Sequence, residues 1–318
     1  MLTPEPMTPE TQLIPLTKRI HSVHLTRLPV MPAMFFKLLI SAMGKQTRIP
    51  DHGRVAKGQL CLPNVTPDPI RVQQYRRVCG FVHAPEDPTV PPGYLQTLFI
   101  GLLARYITSD FFPINPMGLI QTGQQFESRC PVLTRDSLDL FCTLQDMTRT
   151  AKGISTRFLL QVYRDKNPVW QGIATYLTRI PGSKRTSKTV QDAPLPAKMT
   201  LAVPPGTGRR YARVSGDYNP HHLSDVTARL IGFNQAMVHG MWSMARTLAC
   251  LEKAMPLVPP FSVDAAFKLP VFMPATLQLG YKQVVHGHKT RRIIFDLRDA
   301  ATFRPHLKGR VTGFEKEH

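Results

Sequence analysis

At 318 residues, 42% of them apolar, the chain is too long for one small domain and carries core material for two of about 150 residues each. A net charge of +19, from 40 Lys and Arg against 21 Asp and Glu, gives it a surface that attracts polyanions. The basic residues are nevertheless spread evenly, 20 in 1–180 and 20 in 181–318, without a helix-turn-helix, zinc-finger or RNA-binding aromatic signature, so nucleic acid is not expected as a partner. A phosphorylated thioester carrier or an acidic carrier protein accounts for the positive field equally well.

In chain order, residues 1–20 are rich in Pro and Thr and read as a flexible arm. Leu28 to Gly44 is apolar, but Pro29, Pro32 and Lys37 interrupt it well short of the roughly 20 residues that a bilayer span needs. It also lies too far from Met1 for a signal peptide. It is expected as a helix over Ala33 to Met43 packed on the protein, with peripheral membrane contact as the lesser alternative. Five cysteines, Cys61, Cys79, Cys130, Cys142 and Cys250, are odd in number and form no CxxC pair, which argues against a disulfide framework and against a structural metal site. A reducing cytoplasm fits that usage.

An apolar helix is expected from roughly Tyr94 to Ile107, followed by antiparallel strands. Pro181 to Arg210 holds five prolines, six basic residues and one acid, and reads as an extended linker whose Lys184, Arg185 and Lys188 are available to phosphates. Beyond it, Met237, Met241, Met244, Ala245, Leu248 and Leu251 recur at helical spacing and predict a helix over Asn234 to about Met255. Alternating segments predict strands at about 261–270, 275–286, 290–298 and 306–314.

These elements repeat. Tyr75 to Phe81 reads YRRVCGF and Tyr211 to Asp217 reads YARVSGD, matching at Tyr, Arg, Val and Gly with an offset of 211 − 75 = 136. Phe126 and Pro131-Val132 answer to Phe267 and Pro270-Val271, Arg164-Asp165 to Arg298-Asp299, and Gly172 to Gly309, all in the same order. The division expected is therefore an arm (1–20), a first repeat (21–180), a linker (181–210) and a second repeat (211–318). Each repeat has an antiparallel sheet around a central helix, an α+β fold with two sheets that can join at their edges.

The most informative segment is Tyr211 to His222, YARVSGDYNPHH, which sets Asp217 and His222 five residues apart around a Gly-Asp-Tyr-Asn-Pro turn. An ionised carboxylate accepts hydrogen bonds, and imidazole gives or takes a proton near neutral pH, so together they can orient one water and move its proton. Asn219 and Pro220 between them favour a stiff turn. On spacing alone the same residues read equally well as ordinary turn residues before a helix.

The run Tyr211-Ala212, Ser215-Gly216-Asp217, Asn219-Pro220 and His222, followed by Gly232-Phe233, Val238-His239-Gly240-Met241 and Phe267-Lys268-Leu269-Pro270-Val271-Phe272, resembles the MaoC-like dehydratases, the R-specific enoyl-CoA hydratases of hotdog fold. The resemblance covers about 205–318 directly, and the repeat extends it to a double hotdog. It implies a hydro-lyase in which Asp217 and His222 bind the catalytic water and the backbone N–H of Gly240 forms the oxyanion hole. Asn219 would brace the loop. It implies an acyl-CoA or acyl-carrier-protein thioester as substrate, a role in fatty acid metabolism, no cofactor and no metal, in a monomer or a homodimer. His239 is left out of the chemistry, because a lone His beside a required Gly reads as packed structure.

The first repeat departs from the pattern, since Phe81 falls opposite Asp217 and Glu86 opposite His222; one active site per chain is expected. Position 221 is His where the family usually has Ile or Leu. The competing reading is a non-catalytic module that binds acyl thioesters or serves a larger fatty-acid or polyketide assembly. The intact Asp217 and His222 pair favours the enzyme, and a thioesterase of the same fold stands third.

Overall fold

The structure, a computed structural model, describes residues 12–29, 47, 54–82, 86–180, 183, 193–286 and 290–314. The helix expected over Ala33 to Met43 and the basic residues Lys184, Arg185 and Lys188 lie outside the described residues. The strands are β1 (Gln12–Ile14), β2 (Leu16–His24), β3 (Val55–Val65), β4 (Leu119–Ser128), β5 (Leu138–Thr150), β6 (Gly153–Arg164), β7 (Asn167–Thr178), β8 (Ala197–Val203), β9 (Phe261–Phe267), β10 (Ala275–His286), β11 (Thr290–Asp299) and β12 (Pro305–Phe314). Five α-helices occur among the described residues: α1 (Pro69–Cys79), α2 (Ile100–Ile107), α3 (Thr207–Ser215), α4 (Asp225–Arg229) and α5 (Gly240–Leu251).

Backbone contacts group the chain into two compact units that interleave in sequence: the described residues of Met1–Val65, Phe99–Phe126 and Leu138–Val190 form one, and those of Thr66–Leu98, Glu127–Ser137 and Gln191–His318 the other. In the first unit the strand order is β2-β3-β5-β6-β7-β4, with β1 paired to β5. β2 runs parallel to β3, whereas β3, β5, β6 and β7 are antiparallel neighbours. Alternation decides which face is covered: Ile154, Thr156, Phe158, Leu160 and Val162 of β6 are buried in strict period two. Helix α2 buries Leu102, Leu103 and Tyr106, and the Tyr106 hydroxyl accepts the Gly58 N–H at 2.9 Å.

The second unit has the order β9-β12-β11-β10-β8, antiparallel throughout. Leu277, Leu279, Ile293, Phe295, Leu297, Leu307 and Val311 are buried in it. Helix α5 is buried at every residue except Gly240 and Arg246. Full burial of each Met or Leu in it stabilises the fold by about 1.5–3 kcal/mol, well above the roughly 1 kcal/mol that a helical glycine costs. Two units built from a sheet and an apolar helix make the chain an α+β double hotdog, as its sequence predicts.

Several expectations change. The loose arm contains β1 and part of β2, and the extended linker contains β8 and the start of α3. The helix expected over Asn234 to about Met255 is shorter at both ends. Residues 236–238 are drawn into an extended segment, where the Met237 N–H donates to His221 O and the Val238 N–H to Val271 O, both at 2.9 Å. The helix expected from Tyr94 to Ile107 opens with a 3-10 turn, Leu95–Phe99, before α2.

Within the second unit the two copies of the repeated Tyr-Arg-Val-Gly segment pack on each other as α1 and α3. Each ends on a left-handed glycine, Gly80 (φ 78°) and Gly216 (φ 83°), where only a residue without Cβ is unstrained. The Tyr75 and Tyr211 rings lie 6.0 Å apart. Trp242 of α5 donates its indole N–H to Val78 O at 3.0 Å, tying the central helix to the end of α1.

Candidate active site

Gly216 stops α3 and turns the chain so that Asp217 leads away from the helix end. The Asp217 N–H donates to Ser215 Oγ at 3.2 Å, and its carboxylate Oδ1 accepts the side-chain amide of Asn219 at 2.6 Å and the Asn219 backbone N–H at 3.3 Å. This Asx-type turn fixes one carboxylate oxygen and leaves Oδ2 without a hydrogen-bond donor among the described residues. Pro220–His222 form a single 3-10 turn that carries His222 inward. Its Nδ1 lies 2.8 Å from Met237 O. A carbonyl only accepts, so Nδ1 holds the proton and Nε2 keeps its lone pair.

Helix α3 approaches this turn through Gly208, whose missing Cβ leaves room for the His222 carbonyl oxygen. On the other side stands His239, the N-cap residue of α5. Its side chain does not cap its own helix: Nε2 donates to the main-chain oxygen of Asp217 at 2.9 Å and lies 3.9 Å from Asp217 Oδ2. The rings of His222 and His239 stack with centroids 3.6 Å apart and 27° between planes. His221 meets His222 edge-on at 4.0 Å, and the Tyr211 ring lies 4.9 Å from His239. His239 Nδ1 is buried without a partner among the described residues, which costs about 1–3 kcal/mol.

Burial decides the charge state of this cluster. It pushes His222 well below the ordinary imidazole value, and the neighbouring His239 and His221 push it further, against a smaller opposing effect of Asp217. His239 is brought down to about 3, chiefly by desolvation. His221 is lowered by burial too. The histidines are therefore neutral at physiological pH, and His222 Nε2 is left as an unprotonated ring nitrogen.

One carboxylate oxygen of Asp217 and one ring nitrogen each of His222 and His239 lie within 4.8 Å of one another. Two acceptors of a single water sit about 4.6 Å apart when each hydrogen bond is about 2.8 Å long, a separation within the same range. A metal fits less well. Stacked imidazoles direct their lone pairs into near-parallel planes rather than at one point, and His222 Nδ1 and His239 Nε2 are already committed to carbonyls. Gly240, the next residue after His239, opens α5, where backbone N–H groups have no acceptor within the helix and the dipole is positive. A Cβ on Gly240 would stand 2.9 Å from Phe267 Cδ1, so the helix end is held close against β9.

Residues 184–299 match the family described as a MaoC like domain. Over 290 residues the chain is 27% identical to 3-hydroxyacyl-thioester dehydratase X of Mycobacterium tuberculosis, covering 89% of this chain and 99% of that protein. The crystal structure of HtdX from the same organism aligns with a TM-score of 0.66 at 26% identity, over 80% of this chain and 98% of that one. Residues 184–299 are therefore a MaoC-like dehydratase domain. With that domain and the dehydratase relative, the chain is a hydro-lyase. A MaoC-like dehydratase from Phytophthora capsici shares the fold, with a TM-score of 0.67 at 20% identity over 81% and 95% of the two chains. A local stretch of 71 residues is 37% identical to the fatty acid synthase subunit beta of Saccharomyces cerevisiae, 22% of this chain and 4% of that one.

The four residues singled out from the sequence fall in the second unit, three on the turn after α3 and Gly240 at the start of α5. Phe81 and Glu86 are respectively buried and exposed, so those positions bring no second carboxylate and imidazole together. His239, read from the sequence as packed structure, is buried and hydrogen-bonded as that reading expects, and its packing is against the turn of Asp217 and His222. Its position directly before the glycine that opens an apolar helix did not reveal those partners, because they stand 22 and 17 residues back in the chain.

Proposed function

We propose that this hydro-lyase adds water reversibly across the double bond of a trans-2-enoyl thioester, giving the (R)-3-hydroxyacyl thioester, and eliminates it in the other direction. The observation that carries this reading is the apposition of a half-buried Asp217 with a buried, neutral His222, each with an accepting atom that has no hydrogen-bond partner among the described residues. Asp217 Oδ2 and His222 Nε2 each accept a hydrogen bond from the water, which turns an oxygen lone pair towards C3 of the substrate. As the C3–O bond forms, the base takes a water proton and the C2=C3 electron pair moves to the thioester oxygen as an enolate. The Gly240 N–H stabilises that oxygen. The proton then passes from the pair to C2, and the thioester carbonyl re-forms. Both reacting groups belong to the chain, and the reaction needs no cofactor.

Asn219 acts here as the brace of Asp217, since it donates twice to the same carboxylate oxygen. The first repeat, 21–180, serves the acyl chain rather than the chemistry, and the second, 211–318, carries the one active site. The thioester carrier is coenzyme A or an acyl carrier protein, either of which suits a chain with net charge +19.

The test is the loss of conjugated-thioester absorbance with trans-2-enoyl-CoA substrates of short, medium and long chain. Asp217→Asn and His222→Gln each lower kcat by about 10²–10⁴-fold without lowering the melting temperature appreciably, whereas Glu86→Gln leaves the rate unchanged. Full activity in either of the first two variants would overturn the assignment. No turnover with any CoA or carrier-protein thioester would make the protein a binding module.

A further inference from the structure

We infer that His239 is a positioning residue that joins the three working parts of the site: the Asp217 loop, the His222 ring and the Gly240 N–H. This rests on the hydratase reading above. Its Nε2–H holds the main-chain oxygen of Asp217 at 2.9 Å, and its ring lies face to face on His222 at 3.6 Å. Its own main chain leads directly into Gly240, while its carbonyl oxygen accepts the Ser243 N–H at 3.2 Å in the first turn of α5. Acid, base and oxyanion donor sit on two segments separated by 17 residues or more, and His239 is where the segments are fastened together.

Packing alone does not call for a histidine there. A phenylalanine ring would stack on His222 and on Tyr211 as well, and would bury no nitrogen without a partner, as Nδ1 of His239 does. What histidine adds is one N–H aimed at the Asp217 carbonyl. The carbonyl belongs to the residue whose carboxylate must meet the water, so the bond fixes where that carboxylate starts from. Misplacement of a reacting group by about 1 Å costs on the order of 10²-fold in rate, which sets the scale of the effect.

His239→Phe keeps the stack and removes the donor. His239→Gln removes the ring and keeps an amide N–H near the Nε2 position. Hydration of a trans-2-enoyl-CoA by His239→Phe is expected to show kcat lowered about 10–100-fold with KM within about 2-fold, and His239→Gln to recover most of the loss. Amide hydrogen exchange at Asp217 and Asn219 is expected to quicken about 10-fold in His239→Phe and to stay near the wild-type rate in His239→Gln, with the remaining amides unchanged in both. Wild-type kcat in His239→Phe would overturn the inference. So would an equal loss in both variants accompanied by a general loss of exchange protection, which is the mark of a packing residue. If the wild-type chain turns over no enoyl thioester, the hydratase reading fails, and the exchange at Asp217 and Asn219 still decides whether His239 holds the loop.

Discussion

With His221 edge-on to His222 and His222 stacked on His239, the imidazoles would repel if more than one were charged, and the residues around them make charging costly in the first place. His222 is held well below the ordinary imidazole value by burial, then by His239 and His221, and His239 lies at about 3. A base that is neutral well into the acid range should show no acid limb at about pH 6.5, where a free histidine titrates. The kcat/KM profile for hydration is therefore expected to stay flat from about pH 8 down through 6.5, and a limb centred at 6.5 would show that His222 is not the buried neutral base described. Stability runs with the same sign. The unfolded chain takes up protons at these histidines near 6.5 and the folded chain does not, so their contribution is complete above about pH 6.5 and is lost as the pH falls towards 3. At this scale the turn that carries Asp217, Asn219 and His222 was legible in the sequence, because Gly216 and the Asn219-Pro220 pair stop the helix and bend the chain. The contact of His239 with that turn was not. It is a hydrogen bond to a residue 22 positions earlier, and no local pattern encodes that bond.

The turn that carries His222 is shaped by the helix before it. Gly208 lies in the first turn of α3, buried, with its N–H 3.3 Å from Met273 Sδ, and an added Cβ would run into the His222 carbonyl oxygen, which is backbone and cannot rotate away. Gly208→Ala is thus expected to push the 3-10 turn outward, lowering kcat by about 10²-fold and stability by about 1–3 kcal/mol. Gly232→Ala is the matched comparison. At φ 89° it strains the backbone by roughly 1–2 kcal/mol, but a Cβ there meets nothing within 4 Å, so kcat should hold. Equal kcat in the two variants would mean that the close approach of α3 does not set the position of His222. Helix α5 and strands β9 to β12 were readable from periodicity, since an apolar stripe and strict alternation record a covered face. Strands β1 and β2 were not, because most of their residues are exposed and no alternation marks them. In β8 the alternation of Met199, Leu201 and Val203 was present but short, and the prolines on either side masked it.

Repetition in the sequence and compactness in space are different properties, and in this chain they do not coincide. The markers from Tyr75 to Gly172 and from Tyr211 to Gly309 follow two consecutive copies, yet the second compact unit takes in Thr66–Leu98 and Glu127–Ser137 from the first copy. Those segments supply α1, whose Tyr75 faces Tyr211, whose Val78 carbonyl accepts the Trp242 indole N–H, and whose terminal Gly80 carbonyl accepts from Arg246 at 3.4 Å. A fragment comprising residues 191–318 holds every proposed reacting group but would expose Tyr211, Val214 and the Trp242 face of α5. Because one fully buried large side chain is worth about 1.5–3 kcal/mol against a total stability of about 5–15 kcal/mol, removing α1 takes away a large part of what holds the unit folded. Trp242 is the single tryptophan of that fragment, the other being Trp170, so its fluorescence reports directly. Alone, the fragment is expected to emit at the red-shifted wavelength of a hydrated indole and to lack turnover; co-expressed with residues 1–190, it should recover both the blue-shifted emission and the activity. A fragment that folds and turns over substrate by itself would show instead that the second repeat is autonomous and that α1 only rests on it.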